Sequence, residues 1–178
     1  MSDVLPIRTE RLELVSLAPA LIEALLAGQR AETEAAAGLT LPNGWPDPHD
    51  ERFLRLRLRQ MREDEGVEPW LVRAMVSRDR ERRMLGHIGF HGPPDERGAA
   101  ELGYTVLPPF RRRGYALEAA RGMMDWALRE HGVRLFRLSI SPDNAPSLAM
   151  AAKMGFCQVG EQMDDEDGLE LVFELAHE

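Results

Sequence analysis

Hydrophobic and polar positions recur along this chain with two periods, and the switches between them divide it into elements. Arg11 to Leu17 alternates as a strand, with Leu12, Leu14 and Ser16 opposite Arg11, Glu13, Val15 and Leu17. Pro19 opens a short helix whose stripe includes Leu21, Ile22 and Leu25. Asp47-Pro48, with Asp50 and Glu51 following, reads as a helix cap and an acidic first turn. Leu54 to Arg59 alternates like a strand, yet Leu54, Leu58 and Met61 share a helical face. The cap signals decide for a helix to about Glu63. Trp70 to Val76 and Met84 to Phe90 read as strands joined by the charged turn Ser77 to Arg83, and Gly92 to Gly98 leads into a further strand, Glu101 to Val106. Short turns between these three imply an antiparallel meander. Ala116, Ala120, Met123 and Ala127 then form one helical stripe ending near Gly132. Leu135 to Ile140 is a strand and Asn144 to Met154 a helix stopped by Gly155. Phe156 to Met163 and Leu169 to Leu175 close the chain as a hairpin around Asp164 to Gly168, with Leu169, Leu171, Phe173 and Leu175 on one side.

The stretch from Glu101 to Ala116 organises the rest. Its strand is apolar on one face only (Leu102, Tyr104, Val106), while the other carries Glu101, Gly103 and Thr105. A strand bordering a cleft and an antiparallel strand facing solvent both give this pattern. Pro108-Pro109 stops the strand, because proline cannot donate to a ladder. Arg111, Arg112 and Arg113 then precede Gly114, and helical periodicity starts at once. A glycine turn at a helix N-terminus holds phosphate through unpaired N–H groups; a solvated arginine cluster beside an ordinary turn is the plainer alternative.

Composition narrows the classes. At 178 residues the chain is one domain (1–178), 44% hydrophobic and 29% charged, as soluble globular proteins are. A net charge of -8 argues against nucleic acid as a partner. No apolar run approaches the roughly 20 residues of a membrane span, and no signal-peptide pattern opens the sequence. The one cysteine, Cys157, excludes an internal disulfide and is expected to be a core thiol. Together these predict a cytoplasmic protein with no membrane partner and no metal site. Gly38 to Pro48 is the loosest stretch, and its Trp45 reads as either a flap or a packed surface loop.

A second constellation follows at Asn144-Ala145-Pro146-Ser147, continuing to Lys153-Met154-Gly155-Phe156. Asn144 suits a helix cap, Ser147 a second capping hydroxyl, Gly155 a left-handed stop. With Arg111-Arg112-Arg113-Gly114-Tyr115-Ala116, and over nearly the whole chain from Thr9-Glu10-Arg11-Leu12, the sequence resembles the GNAT acetyltransferase superfamily, particularly its RimJ/RimL-like branch. The resemblance implies an α/β (α+β) fold: a mixed, mostly antiparallel sheet of six to seven strands, helices on both faces, and a V-shaped opening between the fourth and fifth strands. It implies acetyl-coenzyme A as co-substrate. Amides from Arg112 to Ala116 would take the pyrophosphate, with Arg111, Arg112 and Arg113 near the outer phosphates. Main-chain groups at Val106 would pair with the pantetheine arm, and Asn144 would bond to that arm. The acceptor would be a primary amine, either a small molecule or a protein N-terminus, in a pocket built from Ala31 to Glu65. A homodimer is compatible with the branch.

Glu101 is the candidate base, because its strand face borders the implied cleft; an ordinary surface or ion-paired carboxylate is the alternative. His87 and His91 are lesser candidates. The tyrosine that serves many relatives as acid is replaced by Ala151, which leaves Ser147 as the candidate donor. Two rivals stand beside the enzyme: an acetyl-coenzyme A sensor without catalysis, and a nucleotide-binding protein. The latter lacks any Gly-x-x-x-x-Gly-Lys or Gly-x-Gly-x-x-Gly run.

Overall fold

The computed structural model describes residues 4–165 and 168–177. In chain order the elements are β1 (Ile7–Arg8), β2 (Leu12–Ser16), α1 (Pro19–Leu26), α2 (Arg30–Ala37), α3 (Pro48–Glu63), β3 (Arg73–Ser77), β4 (Met84–Phe90), β5 (Ala99–Val106), α4 (Tyr115–His131), β6 (Leu135–Ile140), α5 (Ala145–Met154), β7 (Cys157–Asp164) and β8 (Gly168–Ala176). They form one eight-stranded sheet of order β1-β2-β3-β4-β5-β6-β8-β7. Every neighbouring pair is antiparallel except β5 and β6. The expected mixed, mostly antiparallel sheet is present, with one strand more than the periodicity reveals. Two residues of β1 are too few to show a period.

Two apolar clusters flank the sheet. On one face α4 and α5 lay Ala119, Ala120, Met123, Ala127 and Ala151 against Leu12, Leu14, Met75, Ile88, Leu102 and Phe136. On the other, α1, α3 and the 38–47 loop lay Ile22, Leu25, Trp45, Leu54 and Met61 against Leu71, Val72, Ala74 and Met84. The helix at 48–63 starts as expected: Asp47 accepts from the main-chain N–H of His49 and Asp50, and Asp50 reciprocates in a capping box. Trp45 is buried, so the loop is packed.

Two expectations need correction, and two features go beyond them. The segment at 65–70 is a short 3-10 helix capped by Asp64, so the third strand begins at Arg73 rather than Trp70. Pro69 cannot donate to a ladder, and β2 pairs no further back than Ser16 with Arg73. Helix α2 was unexpected; only Thr33 on it is buried, so its sequence carries no apolar stripe. Cys157 is exposed, not a core thiol, because β7 is the outermost strand and nearly all of it is solvent-accessible. In β8 the most buried residue is Val172, on the face opposite Phe173 and Leu175, whereas Leu169 is exposed. The turn predicted at Asp164 to Gly168 includes residues 166–167, which lie outside the described residues.

Candidate active site

The parallel pairing of β5 with β6 runs only from Ala99–Leu135 to Glu101–Arg137. Beyond it β6 pairs with β8 alone through Ile140–Leu171, while β5 continues along β4 to Val106–Gly86. The two strands therefore part at Glu101. Main-chain parity decides which groups face the gap. The N–H of His91 donates to the Glu101 carbonyl at 2.8 Å, and that of Leu107 to the Leu85 carbonyl at 2.9 Å. Odd-numbered residues of β5 thus turn their backbone to β4, and Leu102, Tyr104 and Val106 turn theirs to the open side. There the Val106 carbonyl accepts from Arg111 Nε at 2.9 Å. Of the main-chain groups at Val106, only the N–H remains for a ligand, together with both groups of Tyr104.

The predicted turn stands at the mouth of this gap. Arg112 has φ 61° and Gly114 φ 78°, left-handed conformations that aim successive amides the same way. Among the described residues the N–H groups of Arg112, Arg113 and Gly114 make no hydrogen bond. Those of Tyr115 and Ala116 belong to the first turn of α4, where no intrahelical carbonyl exists for them. The side chains of Arg112 and Arg113 are exposed and form no ion pair among the described residues. The turn is tied from below by Arg11, which sequence reading did not single out: its Nη1 donates to the Arg113 carbonyl at 2.9 Å, its Nε meets Glu118 Oε2 at 2.6 Å, and its guanidinium lies 4.7 Å from the Tyr115 ring centroid. Glu118 also accepts from Thr9 Oγ1 at 2.6 Å and the Arg11 N–H at 2.7 Å. Desolvation pushes its acidity the other way, but these bonds win and hold the carboxyl below its ordinary value.

The two candidate catalytic groups lie on opposite faces of β5. Glu101 sits at the vertex on the α3 face, where Ser139 Oγ of β6 donates to its Oε1 at 2.6 Å and His91 Nδ1 lies 3.7 Å away. Its Oε2 has no hydrogen bond among the described residues. On the α5 face, Asn144 Oδ1 accepts from the Ser147 N–H at 3.2 Å, so Asn144 does cap the helix, and its amide nitrogen makes no hydrogen bond among the described residues. The Ser147 hydroxyl faces the Tyr104 hydroxyl without closing a full hydrogen bond; burial raises the Tyr104 pKa, the serine contact opposing it. Ala151 is fully buried in the adjacent core.

Beside Glu101, a cavity of about 330 Å³ opens between α3 and the strands β4 and β5, lined among others by Asp50, Phe53, Arg57, His87, His91 and Gly103. His87, a lesser candidate base, is buried, stacks on Phe53 at 4.9 Å and lies 3.6 Å from Asp50 Oδ1. Asp50 is itself held below the ordinary carboxyl value: desolvation raises it, and bonding to His87 and the Asp47 N–H more than offsets that. A larger concavity of about 1210 Å³ lies between residues 4–11 and α4 and touches none of Glu101, Asn144 or Ser147. Among the described residues no His, Cys, Asp or Glu cluster has metal-ligating geometry, and no helix is long and apolar enough to cross a membrane.

Residues 11–157 match the profile of the acetyltransferase (GNAT) domain family. The chain is 34% identical over 91 residues to the uncharacterized N-acetyltransferase YjdG of Bacillus subtilis (strain 168), an alignment covering 51% of this chain and 52% of that protein. It spans about half the length of the first curated relatives it matches. In three dimensions it is similar to an acetyltransferase from Agrobacterium tumefaciens str. C58, at 24% identity and TM-score 0.66, covering 99% of this chain and 97% of that one. It is also similar to RimL, a ribosomal L7/L12 alpha-N-protein acetyltransferase solved with coenzyme A, at 18% identity and TM-score 0.66, covering 97% and 98%. At these identities the structural likeness is one of fold.

Proposed function

Since the chain belongs to the GNAT acetyltransferase family by the match over residues 11–157, we propose that it transfers an acetyl group from acetyl-coenzyme A to a primary amine, either a small molecule or a protein N-terminus. The observation that carries this reading is the parting of β5 and β6 after Glu101, with unpaired main-chain groups along one lip and a run of free amides at its mouth. Those amides, at Arg112 to Ala116, suit a pyrophosphate, and the exposed guanidinium groups of Arg112 and Arg113 suit its outer charge. Arg111 has a different part: it holds the Val106 carbonyl and so shapes the lip. The N–H groups of Tyr104 and Val106 and the side-chain amide of Asn144 are left to hold the pantetheine arm. Acetyl-coenzyme A supplies an activated acyl carbon on a thiolate leaving group.

The chain's own residues then divide the proton work between the two faces of β5. Glu101 Oε2 accepts the proton that the attacking amine loses as its nitrogen bonds to the acyl carbon. Ser147 gives a proton to the departing sulfur as the carbon–sulfur bond breaks, and Tyr104, kept protonated by burial, stands behind it. A thiolate of pKa near 8.5 needs only modest help. Buried Ala151, where many relatives carry a tyrosine, favours one second reading, an acetyl-coenzyme A sensor without turnover. Thiol release from acetyl-coenzyme A in the presence of an amine and N-terminal-peptide library separates the two. Amine-dependent thiol release with a matching acetylated product supports the enzyme; binding without release supports the sensor.

A further inference from the structure

Arg57 is buried on α3, 8% exposed, on the wall of the cavity next to Glu101. A guanidinium carries five N–H donors and no acceptor, so burial obliges it to find several partners. Nη1 donates to Gln60 Oε1 at 2.9 Å and to the His91 carbonyl at 3.4 Å. Nε is buried without a partner, and Nη2 makes no hydrogen bond among the described residues. No carboxylate forms an ion pair with it there; its group lies instead 4.9 Å from the Phe53 ring centroid. The acid that lines this wall, Asp50, is engaged with His87 and the Asp47 N–H. Burial disfavours the charge: desolvation lowers the Arg57 pKa to about 10.

A leucine or methionine would fill a similar volume of α3 without burying a charge. The position matters for another reason. Arg57 bonds the carbonyl of His91, and His91 stands between it and Glu101. An acceptor filling the cavity with its amine at Glu101 therefore presents its far end to the guanidinium. We propose that the Arg57 guanidinium is an anion-recognition group for the acceptor, and that the amine acetylated by this protein carries a carboxylate. This rests on the acetyltransferase reading and adds the acceptor class to it. Two sources offer that chemistry, the α-carboxylate of a free amino acid and an acidic side chain near the N-terminus of a peptide.

The test compares matched acceptors, each as carboxylate and as amide: alanine and serine against their α-amides, and C-terminally amidated Ser-Asp-Ala against Ser-Asn-Ala. The wild-type protein should favour the carboxylate member of one pair by about tenfold or more in kcat/KM, mostly through KM, the size of one charged hydrogen bond. Arg57→Gln should reduce that ratio to near one, with the loss falling mainly on KM for the carboxylate member, and Arg57→Lys should restore part of it. The pair showing the preference identifies the source. A wild-type ratio near one, or a preference that survives Arg57→Gln, overturns the proposal. If no amine is acetylated, the acetyltransferase reading fails by itself. Calorimetric titration of the same peptides and amino acids into the protein then decides the anion site separately, with the carboxylate members binding more tightly to wild type than to Arg57→Gln if it exists and equally if it does not. Thermal melts of both variants confirm that each retains its fold.

Discussion

Replacing Glu101 with glutamine removes the proposed base while changing little else. The Ser139 hydroxyl donates to Glu101 Oε1 at 2.6 Å, and a glutamine carbonyl can accept the same bond. The loss to stability is therefore limited to roughly 1 kcal/mol from exchanging a charged hydrogen bond for a neutral one. For a domain of this size that is a melting shift of about 2–4 °C. The chemical cost should be larger and should depend on the acceptor. At about pH 7 roughly one α-amine in ten is already neutral, given a pKa of about 8, whereas only about one lysine-type amine in 2,500 is, given about 10.4. A positioned base contributes about 10²–10⁴ in rate. Glu101→Gln should thus lower kcat/KM by about 10²-fold for an α-amine, or ~2.7 kcal/mol in the barrier. The defect should be larger for a lysine-type amine, and it should shrink as pH rises past the acceptor's own pKa. The assay is steady-state thiol release across that pH range, with a thermal melt of each variant. Unchanged kcat/KM at every pH refutes the role, as does a defect that is independent of pH for both amine classes.

Arg11→Ala removes the tie beneath the turn. Because the Arg11 side chain is 44% exposed, the ion pair with Glu118 is screened and its loss should cost only about 1 kcal/mol of stability. The freed Arg113 carbonyl should nonetheless raise KM for acetyl-coenzyme A by about tenfold, the worth of one positioning hydrogen bond to a charged group; an unchanged KM would show that the turn holds its shape unaided. Glu118 predicts an acid limb of stability. Its folded pKa is depressed, so its contribution is complete above the unfolded value of about 4.3 and is lost as pH falls through the folded value. Denaturant midpoints between about pH 6 and 3 should fall more gently in Glu118→Gln than in wild type, and parallel slopes would contradict this. Gly89→Ala should destabilise by about 2–3 kcal/mol, because its Cβ would stand 2.2 Å from the Leu71 carbonyl oxygen. A melting point within about 2 °C of wild type would mean that the strand shifts freely.

Local signals made much of this molecule legible. Asp47 with Pro48 marked α3 because capping is written in adjacent residues, and Gly132 and Gly155 stopped helices in the left-handed conformation expected of them. The one-sided strand at Glu101 to Val106 was ambiguous between cleft and solvent, and only the register with β6 resolves it. What stayed hidden was relational. Ser139 looks like any alternate residue of β6 until β5 and β6 are paired at their base. Arg57 looks like one of several alternating arginines on a helix, and only α3 packed over β4 shows that it is the buried one. Cys157 misled for the same reason, since being outermost in the sheet is a property of strand order and leaves no local mark.

The central claim is that the amides of the Arg112 to Ala116 turn and the open lip of β5 hold acetyl-coenzyme A. Thermal unfolding with acetyl-coenzyme A against ATP tests it most directly. At about 100 times Kd a specific ligand adds ~2.7 kcal/mol, or about 5–11 °C here. The account predicts a saturable shift of that order with acetyl-coenzyme A and little with ATP. No shift with acetyl-coenzyme A, or equal shifts with both, contradicts it.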